Sequence, residues 1–376
     1  MYTAASRFYQ GASHRDAGRV CQDHASHFEG TVDGVEVTAV FVADGHGSAQ
    51  HFRSDIGARL ATEAAEEALP YIVDVLNRKL TREEPGLTVC RGVADEAALT
   101  DADRTPRDVR LEAAARMFFV RVNSLWASKV LAHYNANPLE ENTLAGAARA
   151  YGCTLIGALR TPRYWFAFQL GDGLCVAYDQ KGRFFAPIPA DSRCTFQRTT
   201  SMCSHGARDF RYAYGTDVPP ALMVCTDGIA DCFDTPRALA ECVLAPVMLD
   251  SLRRGFDATV ADFDRNIPEL SEKGSRDDVS LALWLEDYTC GEIAPEVRDE
   301  YISRAVVDLN RAYDELNDCN ESIAEIEGSV STLAGRDDAG DAGHDRLSRL
   351  SRLKRRQAEL LSQIDSINLD INNIQQ

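Results

Sequence analysis

The chain has 376 residues, 45% of them hydrophobic, and a formal net charge of −18. That apolar share supports a genuine core, and the length allows one large domain with an appendage or two domains. The acid excess argues against nucleic acid and against an anionic membrane surface, both of which call for a basic face. Eleven cysteines are scattered between Cys21 and Cys319, and none forms a CxxC pair. Zinc-ribbon and thioredoxin-like readings therefore fail, and a reducing compartment is expected. The opening MYTAASRFYQGASH has no apolar signal core, and no stretch approaches the length of a membrane span. A soluble, cytoplasmic protein is the expectation.

In chain order, Val35 to Ala43 (VEVTAVFVA) reads as a strand ending at an Asp-Gly turn signal. A helix follows from about Ile56 to Leu80, with Ala58, Ala61, Ala65 and Leu69 on one face. Pro85 and Gly86 mark a linker. A second helix runs from about Arg107 to His133, with Leu111, Ala115, Phe118, Val122 and Leu125 at helical spacing. Thr154 to Leu159 and Tyr164 to Leu170 read as a hairpin about Thr161-Pro162-Arg163. Cys175 to Tyr178 and Phe184 to Phe185 are further short strands. Pro187 to Pro219 is polar and irregular and reads as a flap. Ala221 to Cys225 is a buried strand ending at Asp227-Gly228. Helices are expected at Pro236 to Leu244 and near Leu252 to Phe263, and a last strand at Val279 to Leu285. Strands and helices in separate blocks indicate an α+β layered fold.

Beyond Cys290 the pattern changes. Ile302, Val306, Leu309, Tyr313, Leu316 and Ile323 step by three and four, with Asn320 in one slot. After a Gly/Asp-rich loop (AGRDDAGDAGHD), Leu350, Leu353, Leu360, Ile364, Ile367, Ile371 and Ile374 repeat the pattern, with Gln357 in one slot. An antiparallel coiled-coil hairpin over residues 297–376 follows from this spacing, appended to a domain over residues 1–291. Folding the arms about the loop sets Asn320 and Gln357 at about the same level, so the two amides are expected to lie buried in the same or adjacent layers and to fix the register. The arginines from Arg349 to Arg356 read as its solvated face.

Five aspartates stand at ends of strand-like runs: Asp23 (GRVCQDH), Asp44 (VFVADGHG), Asp172 (FQLGDG), Asp227 (LMVCTDGIAD) and Asp277 (GSRDDVSLALW). Any one Asp-Gly is an ordinary turn. As a set they describe carboxylates that can converge at one sheet edge, where they repel unless a cation compensates them. Oxygen donors without a His/Cys cluster select hard ions such as Mg²⁺ or Mn²⁺.

These segments, in this order, resemble the type 2C metal-dependent protein phosphatases over roughly residues 8 to 286. GASHRDAGRVCQDH resembles the bacterial form of the first motif, and VFVADGHGS the second. GCTLIGAL with FQLGDG, then LMVCTDGIAD and SRDDVSLAL, resemble the rest. The resemblance implies a β-sandwich of two antiparallel sheets flanked by helix pairs, with the metals at one end. It implies that Asp44 bridges two cations, that Asp227 and Asp277 complete one and the Gly45 carbonyl binds the other, and that Asp23 joins the set. Asp172 and Asp231 match a weaker third site. His46 matches the general acid for the leaving alkoxide. Arg19 is the candidate grip for substrate phosphate, with Arg15 and His14 as rivals. Two departures stand out: Gln22 where many members have Glu, and Asp278 where Asn is common.

The activity so implied is hydrolysis of phosphoserine and phosphothreonine on proteins by a water activated between two Mn²⁺ or Mg²⁺ ions. A non-catalytic regulator on the same fold, supported by Gln22, and a hydrolase of small phosphate esters are the alternatives. The hairpin is read as a partner-docking arm, a dimerisation element or a brace.

Overall fold

The computed structural model describes residues 1–79, 88–91, 106–138, 148–188, 191, 194, 199–204, 206, 209–333 and 341–375. The chain divides into two compact units, Met1–Ala294 and Pro295–Gln376. Among the described residues no helix is long and apolar enough to cross a membrane.

The first unit is built on eleven strands: β1 (Tyr2–Tyr9), β2 (His24–Val32), β3 (Val35–Ala43), β4 (Thr88–Arg91), β5 (Leu155–Arg160), β6 (Trp165–Leu170), β7 (Leu174–Tyr178), β8 (Phe184–Phe185), β9 (Arg211–Gly215), β10 (Ala221–Cys225) and β11 (Val279–Glu286). They form a five-stranded sheet, β1-β11-β10-β7-β8, and a six-stranded sheet, β2-β3-β5-β6-β9-β4. The pairings within both are antiparallel.

The two sheets face each other. Val40 and Val42 of β3, Ile156 of β5 and Trp165 of β6 share one apolar cluster with Leu222 of β10 and Trp284 of β11. The opposite side of β3, Val37, Ala39, Phe41 and Ala43, joins a second cluster beneath the helices α2 (Ser54–Glu67), α3 (Leu69–Lys79) and α4 (Pro106–Ala136). A strand covered on both faces has no reason to alternate, which is why VEVTAVFVA is nearly unbroken apolar sequence. The outer face of the five-stranded sheet is covered by short helices between Pro236 and Lys273. The expected αββα sandwich is therefore present.

Several boundaries differ from the sequence reading. The first long helix breaks at Ala68, because Pro70 brings no N–H and fits only in the first turn of a new helix. The helix expected at Pro236 to Leu244 ends in a π-helical turn, Ala240–Leu244, and continues as Ala245–Arg254. The second expected helix there is two, Phe256–Ala261 and Phe263–Lys273. β1, β2, β4 and β9 lie where no strand was expected, β9 inside the presumed flap. The linker residues Pro85 and Gly86 fall outside the described residues.

The second unit holds an antiparallel pair of long helices, from Asp287–Leu333 and Asp341–Gln375. Its seam is Ala312, Leu316, Cys319 and Ile323 against Leu360 and Ile364. Gln357 Nε2 donates to Asn320 Oδ1 at 2.7 Å, so the two amides lie at one level. The slot is not the one expected: Cys319 fills the seam, its thiol 3.3 Å from the Leu353 carbonyl, and Asn320 stands exposed at the flank. Arg356–Glu315 and Lys354–Glu327 pairs cross between the arms.

Candidate metal centre

Asp44 follows β3 directly. Its N–H donates to Thr154 Oγ1 at 2.9 Å and its carbonyl accepts from Thr154 N–H at 2.8 Å. Thr154 precedes β5, so one residue at the start of the neighbouring strand fixes both the N–H and the carbonyl of Asp44. Gly45 leaves the strand through a gap with no room for a side chain. A Cβ there would lie 2.5 Å from the Gln22 carbonyl oxygen and 2.8 Å from the Ser54 carbonyl.

Asp172 sits in the turn between β6 and β7. Gly171 before it has φ +124°, a region open to glycine at little cost. The Gly171 carbonyl accepts from Arg211 Nη2 at 2.6 Å and Gln169 Nε2 at 3.1 Å, and its N–H donates to Thr200 Oγ1 at 2.8 Å. Thr199 Oγ1 donates to Asp172 Oδ1 at 2.8 Å. Asp227 opens a one-turn helix after β10. The preceding Thr226 hydroxyl donates to Asp23 Oδ2 at 2.7 Å and accepts from Ser280 N–H at 3.1 Å.

Asp44, Asp172 and Asp227 each present a carboxylate oxygen within 4.8 Å of the others. These three come from strand ends far apart in sequence. The surrounding acids make the crowding plain. Burial pushes the Asp44 carboxyl well above the usual range, and Asp227, Asp23, Asp172 and Asp277 push it further. Asp227 is raised to about 7, first by burial, then by Asp172, Asp277 and Asp231. Asp23 is raised by burial and by Asp278 and Asp227, against the Thr226 hydrogen bond. Asp231, exposed at the rim, is raised by burial and by Asp277. Such a set is costly while ionised and uncompensated, and a divalent cation reverses that cost. A further sign is Gln22. Its Nε2 donates to Ser54 Oγ at 2.7 Å, while its Oε1 is buried with no hydrogen-bond partner among the described residues. An oxygen-only donor set with an orphaned amide oxygen beside it fits a hard divalent ion.

The remaining expected residues divide. Asp277 is exposed, with Oδ1 accepting from the Asp278 N–H at 2.9 Å. His46 follows Gly45, its Nε2 2.7 Å from Ser201 Oγ and its ring against His51. Arg19 is exposed on the loop before β2. His14 does not face solvent: it is buried with Nδ1 2.7 Å from Asp278 Oδ2. Arg15 is engaged by Glu272 at 2.7 Å. Of these two rivals for the phosphate, His14 is thus turned into the protein and Arg15 lies at the surface. Thr226, Ser280, Thr199 and Arg211 were missed. Only Arg211 left a trace, as a lone cation in the strand-like RYAYG.

Gly228 gives a direct check on this packing. A Cβ there would lie 1.9 Å from the Asp278 carbonyl oxygen, whereas at Gly291 it meets nothing within 4 Å among the described residues. Gly228→Ala is expected to cost about 1–3 kcal/mol through forced backbone shifts. Gly291→Ala, inside a helix, should be neutral or stabilising by up to about 1 kcal/mol. Thermal melts of the two variants in chelator check this.

A profile of the family described as Protein phosphatase 2C matches residues 10–263. The chain belongs to the protein phosphatase 2C family. Among solved structures it is similar to a bacterial serine phosphatase (14% identity, TM-score 0.44, covering 76% of this chain and 97% of that one). It is also similar to the catalytic domain of the serine/threonine phosphatase PstP in complex with two manganese ions (16%, 0.40, 75% and 97%). A third is PppA of Pseudomonas aeruginosa, a regulatory component of its T6SS (16%, 0.39, 76% and 97%). No curated protein matches the chain.

Proposed function

We propose that the chain is a metal-dependent phosphatase acting on phosphoserine and phosphothreonine of protein substrates. The observation that carries this reading is the convergence of Asp44, Asp172 and Asp227. Family membership and the orphaned Gln22 oxygen support it. In this reading Asp44, Asp227, Asp277 and the Gly45 carbonyl hold a Mn²⁺ or Mg²⁺ pair bordered by Asp23, and Asp172 with Asp231 takes a weaker third ion. Divalent cations held there would activate a water near neutral pH and would neutralise charge on the phosphoryl oxygens.

The chain's own groups do the rest. Arg19, on its exposed loop, binds the phosphate dianion from the solvent side. His46, two residues past Asp44 and steadied by Ser201, protonates the departing serine or threonine oxygen. The buried thiols at Cys153, Cys225 and Cys290 play no part; burial pushes Cys225 and Cys290 up to about 12. Their free state suits a cytoplasmic setting. The helical pair of the second unit serves a protein partner or a second copy.

The test is release of phosphate from an aryl phosphate and from phosphothreonine peptides, with Mn²⁺ and with excess chelator. Turnover that needs Mn²⁺ is expected. Full turnover in chelator overturns the reading, and Mn²⁺ binding without turnover would instead favour a non-catalytic regulator. A more pointed expectation concerns His46→Ala. It should slow phosphoserine peptides by roughly 10²–10⁴-fold and an aryl phosphate by less than about tenfold, because only the alkoxide needs a proton to leave. Equal losses on both would remove His46 from that role.

A further inference from the structure

One carboxylate beside the centre, that of Asp278, is hydrogen-bonded to the loop that leads into Asp23. Asp278 is 3% exposed. Its Oδ1 accepts from Gly11 N–H at 2.6 Å, and its Oδ2 accepts from Gln22 N–H at 2.6 Å. His14 Nδ1 is a second donor to Oδ2, at 2.7 Å. Gly11 and Gln22 are the two ends of the loop that carries the short helix α1 (Ala12–Asp16) and leads into Asp23. One side chain thus pins both ends of that loop.

The backbone packing agrees. A Cβ on Gly11 would lie 2.2 Å from the carbonyl carbon of Asp277, so this loop abuts the Asp277–Asp278 peptide directly. Ser13 N–H donates to the Arg276 carbonyl at 2.8 Å, and Ala12 N–H to Ser271 Oγ at 3.1 Å. Ser271 Oγ in turn donates to the Asp277 carbonyl at 2.8 Å. An amide at position 278, common in the family this chain resembles, has one acceptor oxygen and would turn its NH₂ toward one of the two backbone N–H groups. A carboxylate accepts on both sides, and the third donor, His14, fixes which way it lies. His14 Nε2 is 3.9 Å from Asp277 Oδ1.

We propose that His14 and Asp278 are a positioning pair for the metal centre. His14 orients Asp278, and Asp278 locks the 11–22 loop against the 277–278 turn, so that Asp23 and Asp277 are presented together. The proposal deepens the phosphatase reading and rests on it. His14 acts through Asp278 and does not touch substrate.

The experiment measures Mn²⁺ affinity calorimetrically on the full chain, with aryl phosphate kinetics over rising Mn²⁺, for wild type, His14→Ala, His14→Asn, His14→Gln and Asp278→Asn. An asparagine amide nitrogen can stand where Nδ1 stands; a glutamine carries it one carbon farther. His14→Ala, His14→Gln and Asp278→Asn are expected to raise the Mn²⁺ Kd by about 10–100-fold, while His14→Asn stays within about threefold of wild type. Saturating Mn²⁺ should restore most of kcat, with the ester KM within about twofold of wild type. Wild-type Mn²⁺ affinity in His14→Ala overturns the proposal. So does a raised ester KM at saturating Mn²⁺ with unchanged Mn²⁺ affinity, which would make His14 a phosphate ligand. If His14→Ala does not fold, the His14→Asn and His14→Gln pair decides: equal affinities overturn the proposal. A wild-type chain that binds no Mn²⁺ at all removes the phosphatase reading itself, and this proposal with it.

Discussion

Asp44→Asn and Asp227→Asn are each expected to reduce Mn²⁺-dependent turnover by at least about 10³-fold, some 4 kcal/mol of transition-state stabilisation. The same substitutions should raise, not lower, the melting temperature of the metal-free protein. Asp44 is half-buried beside four other acids that oppose its charge, and an amide of the same shape removes that repulsion. A gain of about 2–4 °C corresponds to roughly 1 kcal/mol in a domain of 150–250 residues. The thermal shift produced by Mn²⁺ should disappear in both variants. A variant that melts lower than wild type in chelator, and is still stabilised by Mn²⁺, would take that aspartate out of the cluster.

The second large effect is on pH. A carboxyl whose folded pKa stands above its unfolded value binds more protons in the folded state, so stability falls as pH rises between the two values. Asp227 at about 7 sets the upper end of the window, and the ordinary 3.8 sets the lower end. Asp44, Asp23, Asp172 and Asp231 shift the same way, each chiefly through burial. In chelator the protein should therefore become more stable on acidification from pH 8 to about 5, with a slope of up to about 1.4 kcal/mol per pH unit for each carboxyl held protonated. Below about pH 4.5 the trend reverses, because Asp250 and Glu286, held near 2 by Arg254 and by the terminal amine with Thr289, lose their partners' benefit on protonation. Mn²⁺ at pH 7.5 should flatten the upper limb. Melting temperatures across pH in chelator test this, and a maximum at pH 8 would contradict the crowded-acid picture.

How much of this was legible in the sequence depends on where each signal resides. β3 and β10 announced themselves because their burial on both faces is written as unbroken apolar residues. β1 did not. Its central residues Ala4, Ala5, Ser6 and Arg7 carry little strand preference, and its place is dictated by pairing with β11. β9 was hidden by Arg211, a buried cation whose partner, the Gly171 carbonyl, lies 40 residues back. The aspartates could be read because Asp-Gly at a strand end is local. The hydroxyls of Thr226 and Thr199 could not, since nothing local distinguishes a threonine that orients a carboxylate from one that merely occupies a turn. His14 shows the converse. Its position in a motif suggested a phosphate, and only the three-dimensional placement of Asp278 gave it a partner. The amides of the helical pair were matched in level but misplaced in depth, because one residue of rotation separates Cys319 from Asn320 on a helix.

The pairing of β1 with β11 has a consequence for biosynthesis. Tyr2 lies opposite Glu286, so β1 cannot find its neighbour until nearly the whole first unit has been made. At about 5–20 residues per second that wait is roughly 15–55 s. Throughout it the nascent β1 offers an unpaired backbone, and β11, once made, offers its own edge to any strand that arrives first. The six-stranded sheet is less exposed, since β2 and β3 form a hairpin and β5 and β6 another, each closing over short range. Translation should thus yield an intermediate in which the sheet under α2 and α4 is formed and the other awaits its last strand. Chains stalled before Val279 would be the ones that aggregate or engage chaperones, whereas chains released after Glu286 can close.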